Sequence, residues 1–187
     1  MTFGRAMWFA GILALPVAAW ARWGLTASAL SVAVLSVAMV VVAKTDLDRG
    51  TVPDLITLPG VAAGVAFSWF DSRVTPWESM AGAVLGAVGL LAVARLYRML
   101  HPRHEHGLGL GNVKLLAMVG AFLGWQGMLM TLFLGSLLGT VGALLRGPLG
   151  GRPLAHHIPF ATFLAVAAIA TAWFGGWALD WYLGLLQ

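Results

Sequence analysis

Three carboxylates stand close together in the stretch Thr45-Asp46-Leu47-Asp48-Arg49-Gly50-Thr51-Val52-Pro53-Asp54, between an apolar run that ends at Lys44 and another that begins at Leu55. Carboxylates at the mouth of membrane-length runs are costly unless they serve something. A second polar stretch, Gly107-Leu108-Gly109-Leu110-Gly111-Asn112-Val113-Lys114, opens another apolar run. Its three glycines give a backbone that bends sharply and admits another chain closely, and Lys114 is long enough to snorkel toward an interface. Such a loop suits an extended peptide or a lipid headgroup. We read the two stretches as facing each other and forming one site. The plainer alternative makes Asp54 a helix cap and leaves Asp46 and Asp48 as solvated charges paired with Lys44 or Arg49. Spacing alone leaves both open.

The elements that must position these residues are membrane helices. Of 187 residues, 60% are hydrophobic and 10% charged, against roughly 25% charged in a soluble domain. The charges fall between the apolar runs, which marks an all-α polytopic membrane protein of six or seven transmembrane helices. Spans are expected at 7–21, 25–43, 55–70, 79–97, 113–125, 127–146 and 159–183, the last broken at Gly175-Gly176. The third and fifth are short, and short helices starting at polar motifs are tolerated where they line a protein-walled cavity. Gly82, Gly86 and Gly89, and again Gly135, Gly139 and Gly142, let helices approach closely. With the N-terminus inside, Arg5, Lys44, Arg49, Arg95, Arg98, Arg103, Lys114, Arg146 and Arg152 fall on the cytoplasmic side, and only Arg22 and Arg73 fall outside. That bias places both polar motifs at the cytoplasmic face. The outside loop Asp71–Glu78 reads as an ordinary cap, with Pro76 and Trp77 at an interfacial helix start. Arg5, the first apolar run and Ala19-Trp20-Ala21 are similar to a cleavable signal, but a retained first helix is the expectation. The basic balance reflects cytoplasmic loops and not nucleic-acid binding. The absence of cysteine excludes disulfides, thiolate metal sites and a cysteine nucleophile.

Together the two stretches resemble the type IV prepilin peptidases, or leader peptidases, which are intramembrane aspartic proteases of the GxGD type. Asp46 and, after six residues, Pro53-Asp54 match the family's first motif. Gly109-Leu110-Gly111-Asn112-Val113-Lys114-Leu115 matches the second, and Ile158-Pro159-Phe160 matches a later segment that opens a late helix. The resemblance covers about residues 40–165. It implies Asp46 and position 112 as the catalytic pair, and Pro53, Asp54, Gly109, Gly111 and Lys114 as substrate-binding. It also implies no cofactor and a prepilin or pseudopilin substrate, cut at the cytoplasmic face of a bacterial or archaeal inner membrane. One peptidase domain is expected over residues 1–187, without the cysteine-rich insert associated with N-methylation in many relatives.

One departure outweighs the matches: position 112 is asparagine. A carboxyl dyad shares a proton, one group accepting from water while the other donates to the carbonyl. An amide cannot ionise. The expectation is therefore a chain that folds and binds substrate but turns over poorly, either through a deliberate Asp-to-Asn change or as a naturally non-cleaving relative that captures pilin-like helices. The otherwise intact motif favours the former. A small transporter with Asp46 and Asp54 as a cation site is a third class. His101, His104, His106, His156 and His157 read as polar loop residues in preference to metal ligands.

Overall fold

The computed structural model describes residues 2–100, 109–146 and 159–184, with the side chains of 2–7, 146, 182 and 183 outside that description. The five histidines, Arg103, Glu105, Gly107, Arg152 and Ile158 lie outside the described residues, as do the side chains of Arg5 and Arg146. Six helices follow in order: α1 Thr2–Trp23, α2 Ala27–Arg49, α3 Asp54–Ser68, α4 Pro76–Leu100, α5 Leu110–Arg146 and α6 Phe160–Gly184. Four are long and apolar enough to cross a membrane, and α3 is a shorter apolar helix. The chain is an all-α polytopic membrane protein.

Local chemistry sets the ends. Thr26 caps α2 by accepting from the Ala29 N–H at 3.1 Å. Thr75 and Glu78 cap α4 reciprocally, the Thr75 N–H donating to Glu78 Oε2 at 2.9 Å and the Glu78 N–H to Thr75 Oγ1 at 3.3 Å, with Pro76 in the first turn as expected. Helix α2 ends on Gly50, whose φ of 66° is left-handed and whose N–H bonds back to the Asp46 carbonyl oxygen.

Helix α5 is two limbs. Gly124, at φ 70° and ψ −179°, breaks it. In the first limb, 110–123, a Cβ on Gly82 would meet the Gly120 carbonyl oxygen at 2.4 Å, and one on Gly86 that of Leu116 at 2.7 Å, so this limb runs antiparallel to α4. Beyond the break, Gly135 lies against Leu164 and Gly139 against Phe160. The second limb therefore returns antiparallel to α6. The expected spans 113–125 and 127–146 correspond to these limbs. Only glycine adopts the backbone at 124 without strain.

Two expectations are corrected. Helix α6 is continuous through Gly175 and Gly176, because its backbone hydrogen bonds have no water to compete for them in an apolar setting. A Cβ on Gly89 would meet nothing within 4 Å among the described residues, so no described helix packs on it. Gly82, Gly86, Gly135, Gly139 and Gly142 do face helices.

The core runs where α2, the first limb of α5 and α6 meet, through Leu35, Met39, Leu115, Met118 and Leu164, all under 2% exposed. Large apolar side chains such as Leu13, Leu85, Phe133 and Trp177 point outward, as a lipid-facing surface requires. The ends differ. Lys44, Arg49, Arg95, Arg98 and Lys114 share the end where α2 and α4 finish and α3, α5 and α6 begin; Arg22 and Arg73 mark the other.

Candidate active site

Asp46 is helical. The helix runs three residues past it, to Arg49, whereas the expected span stopped at 43. The reason is that Lys44 and Asp48 pair one turn apart on the exposed side, which supports the last turn of a helix that ends outside apolar surroundings. Asp48 thus takes the plainer role.

Asp46 does not. It is 6% exposed, facing the start of α6, and its Oδ2 accepts from the Thr162 N–H at 2.8 Å and from Thr162 Oγ1 at 3.0 Å. Thr162 lies in the first turn of α6, where backbone N–H groups lack partners within the helix and the helix dipole favours an anion. A buried carboxylate is tolerated when it is hydrogen-bonded in this way. Sequence reasoning missed Thr162. Its only signal is a hydroxyl residue just after Pro159, where a helix start has free donors.

The second stretch begins α5. Gly109 lies just before the helix, and its carbonyl oxygen accepts the Asn112 N–H at 3.0 Å. Gly111 approaches the chain leaving α2 so closely that a Cβ there would meet Val52 Cβ at 2.9 Å. That contact brings the two motifs together. Asn112 is half-buried, and its Oδ1 is buried without a hydrogen-bond partner among the described residues. Lys114 Nζ meets Asp54 Oδ2 at 2.7 Å, joining the starts of α5 and α3. Asp54 is therefore not a capping side chain. The N-cap of α3 is Pro53, and no side chain bonds there.

Asp46, Pro53, Asp54, Gly109, Gly111, Asn112 and Lys114 thus gather where the end of α2 meets the starts of α3, α5 and α6. With Asp54 engaged by Lys114 and Asp46 by Thr162, the two carboxylates have separate partners, which does not suit a shared cation site. The arrangement offers one buried carboxylate and one unsatisfied amide oxygen on glycine-rich backbone, at the end of a membrane bundle.

That is the class of an integral membrane protein with a polar site built at helix ends. The chain belongs to the type IV leader peptidase family, whose model matches residues 33–144. It is 33% identical over 158 residues to the prepilin leader peptidase/N-methyltransferase of Pseudomonas putida, covering 84% of this chain and 54% of that protein. It is 34% identical over 165 residues to that of Aeromonas hydrophila, covering 86% and 53%. With that of Burkholderia pseudomallei (strain 1026b) the identity is 30% over 162 residues, covering 87% and 52%. The chain spans about half the length of these relatives. No solved structure matches it.

Proposed function

We propose that the chain has the framework of a membrane aspartic endopeptidase that cuts the leader of prepilin-like substrates at the cytoplasmic membrane face. In this reading Asp46 is the ionisable member of the pair and position 112 its counterpart. With aspartate at 112, one carboxylate takes a proton from water as that water attacks the scissile carbonyl. The other carboxyl donates to the carbonyl oxygen. The C–N bond then breaks as the proton on the first passes to the departing amine and the second takes back the hydroxyl proton of the tetrahedral intermediate, which restores the pair. Asn112 breaks this cycle, since it can hydrogen-bond a carbonyl but has no proton to exchange. The chain as it stands binds substrate and cleaves slowly or not at all.

The observation that carries the reading is the buried Asp46 carboxylate near the end of α2, with Val52 of the chain that follows packed on Gly111, the residue before Asn112. The short helices support it. At about 1.5 Å per residue, α3 and the first limb of α5 reach only ~20–23 Å, short of a ~30 Å hydrocarbon core, so the site they open is recessed. A leader segment enters extended, because a helix hides its carbonyls. Gly109 and Gly111 leave it room, and Pro53, Asp54 and Lys114 border it. Acidic side chains there match a basic leader.

The test is cleavage of a purified prepilin in proteoliposomes. Asn112→Asp should confer cleavage, and adding Asp46→Ala should remove it. Asn112 itself favours a second reading, a non-cleaving relative that holds pilin-like helices. It wins if the Asn112→Asp chain binds prepilin without cutting it.

A further inference from the structure

Thr162 is placed to do more than fill space beside Asp46. Its hydroxyl and main-chain N–H both reach the same carboxylate oxygen, Oδ2, at 3.0 and 2.8 Å. Among the described residues no hydrogen bond reaches Oδ1. The hydroxyl carries a single proton, yet it has a second acceptor, the Ala43 carbonyl oxygen, at 3.3 Å. It can donate to only one at a time. The Thr162 N–H also has an alternative, the Pro159 carbonyl oxygen at 3.2 Å.

We propose that Thr162 is a positioning residue that ties down Asp46 Oδ2, leaves Oδ1 as the oxygen that exchanges protons, and follows the charge on the carboxyl by turning its hydroxyl. This rests on the peptidase reading of Asp46. While Asp46 is ionised, both Thr162 donors converge on Oδ2, the stronger acceptor. When Oδ1 takes a proton from water, Oδ2 becomes a weaker carbonyl-type acceptor. The hydroxyl then turns to the Ala43 oxygen, and the N–H leans on Pro159. Neither state strands a buried donor, so the carboxyl can change charge without the helix junction rearranging. Ala43 lies three residues before Asp46 on α2, so both acceptors move as one body relative to α6.

The experiment compares Thr162→Val, which keeps the shape and the N–H but loses the hydroxyl, with Thr162→Ser, which keeps the hydroxyl. In the Asn112→Asp chain, Thr162→Val should lower kcat about tenfold, the scale of one hydrogen bond to a charged group, with KM for prepilin unchanged. Thr162→Ser should restore kcat. An unchanged kcat in a folded Thr162→Val protein overturns the proposal, as does a loss that Thr162→Ser fails to rescue. A second readout needs no cleavage. In the chain with Asn112 intact, the infrared carboxylate band of Asp46, assigned by its loss in Asp46→Asn, should shift in Thr162→Val and return in Thr162→Ser. A band that stays in place overturns the proposal. A band that shifts when Asn112→Asp never cleaves leaves Thr162 as the anchor of Asp46 and removes the peptidase reading instead. Thr162→Ala serves in both arms if the valine variant does not fold.

Discussion

The two ends of this bundle treat buried polar groups in opposite ways. At the end away from the site, Asp71 is 7% exposed and wholly engaged. Ser28 Oγ donates to its Oδ1 at 2.6 Å, the Arg73 N–H and Nε donate to the same oxygen, and Arg73 Nη2 donates to Oδ2 at 2.7 Å. Arg73 Nη2 also reaches the Ser28 carbonyl oxygen at 3.2 Å, and its guanidinium lies over Trp23. Trp23 in turn packs on Trp173. Both charged groups of this network have partners, and it locks the loop after α3 to the start of α2 and the end of α1; deeper in the bundle the Thr131 and Thr171 hydroxyls are buried without a partner among the described residues. At the site end, Asn112 Oδ1 is buried and unmatched among the described residues, and the described donors to Asp46 reach one oxygen only. Complete networks hold structure. An incomplete one keeps capacity for something that arrives.

That contrast can be broken most severely at the backbone between the ends. A Cβ on Gly120 would lie 2.2 Å from the Gly82 carbonyl oxygen, and no flexible side chain is there to give way. Gly120→Val should prevent assembly of α4 on α5, seen as loss of the monodisperse detergent-solubilised protein. Overpacking of this kind costs about 1–3 kcal/mol, or more where backbone must move.

Next in size is the completed network. Arg73→Ala leaves the buried Asp71 carboxylate with only Ser28 Oγ and the main-chain N–H of residue 73 as donors, and removing one partner of a buried pair costs about 3–5 kcal/mol; the half-open position of Arg73 places the expected loss at the lower end. A thermal melt in detergent reads it. The same carboxyl has a pH signature. Burial pushes Asp71 up, but the hydrogen bonds from Arg73 and Ser28 and the Arg73 charge outweigh it and hold the group below its ordinary 3.8. A lowered folded value means stability that is fully present above that ordinary value and is lost as pH falls through the folded one. The melting temperature should therefore drop below about pH 4 in the parent, and drop less in Asp71→Asn.

The site end should respond the other way round. Asn112→Asp puts a second carboxyl where the present structure has an unmatched amide, so it should alter activity far more than stability. Lys114→Ala removes an ion pair whose partners are 34% and 59% exposed, and such pairs are worth about 0–1 kcal/mol. Its melt should barely move, while KM for prepilin in the Asn112→Asp chain rises. A large loss of stability from Lys114→Ala would put the pair with the locked network and erase the contrast.

Much of this was readable before any coordinates. The apolar runs announced membrane helices because a lipid-exposed backbone has no alternative, and the short third and fifth spans stood out by their length. The boundary expected between the spans 113–125 and 127–146 falls two residues from the break at Gly124, and Pro76-Trp77 was legible as a helix start. Asp46 and Asn112 were legible as a pair only through resemblance, since spacing left Asp46 as plausibly solvated as Asp48. What separates the two is burial, and that depends on which face of α2 meets α6.

Length, hydropathy and charge placement along the chain therefore determined the all-α membrane class, the approximate places of the apolar helices and the positions of the polar motifs, because each follows from interactions within a few turns or with the bilayer. Only the tertiary structure decided that Asp54 belongs to Lys114, that Asp46 belongs to Thr162 and that Asn112 is left wanting a partner. Those pairings join residues 60 and 116 positions apart, and such long-range partners are chosen by how helices pack against one another, which no local pattern encodes.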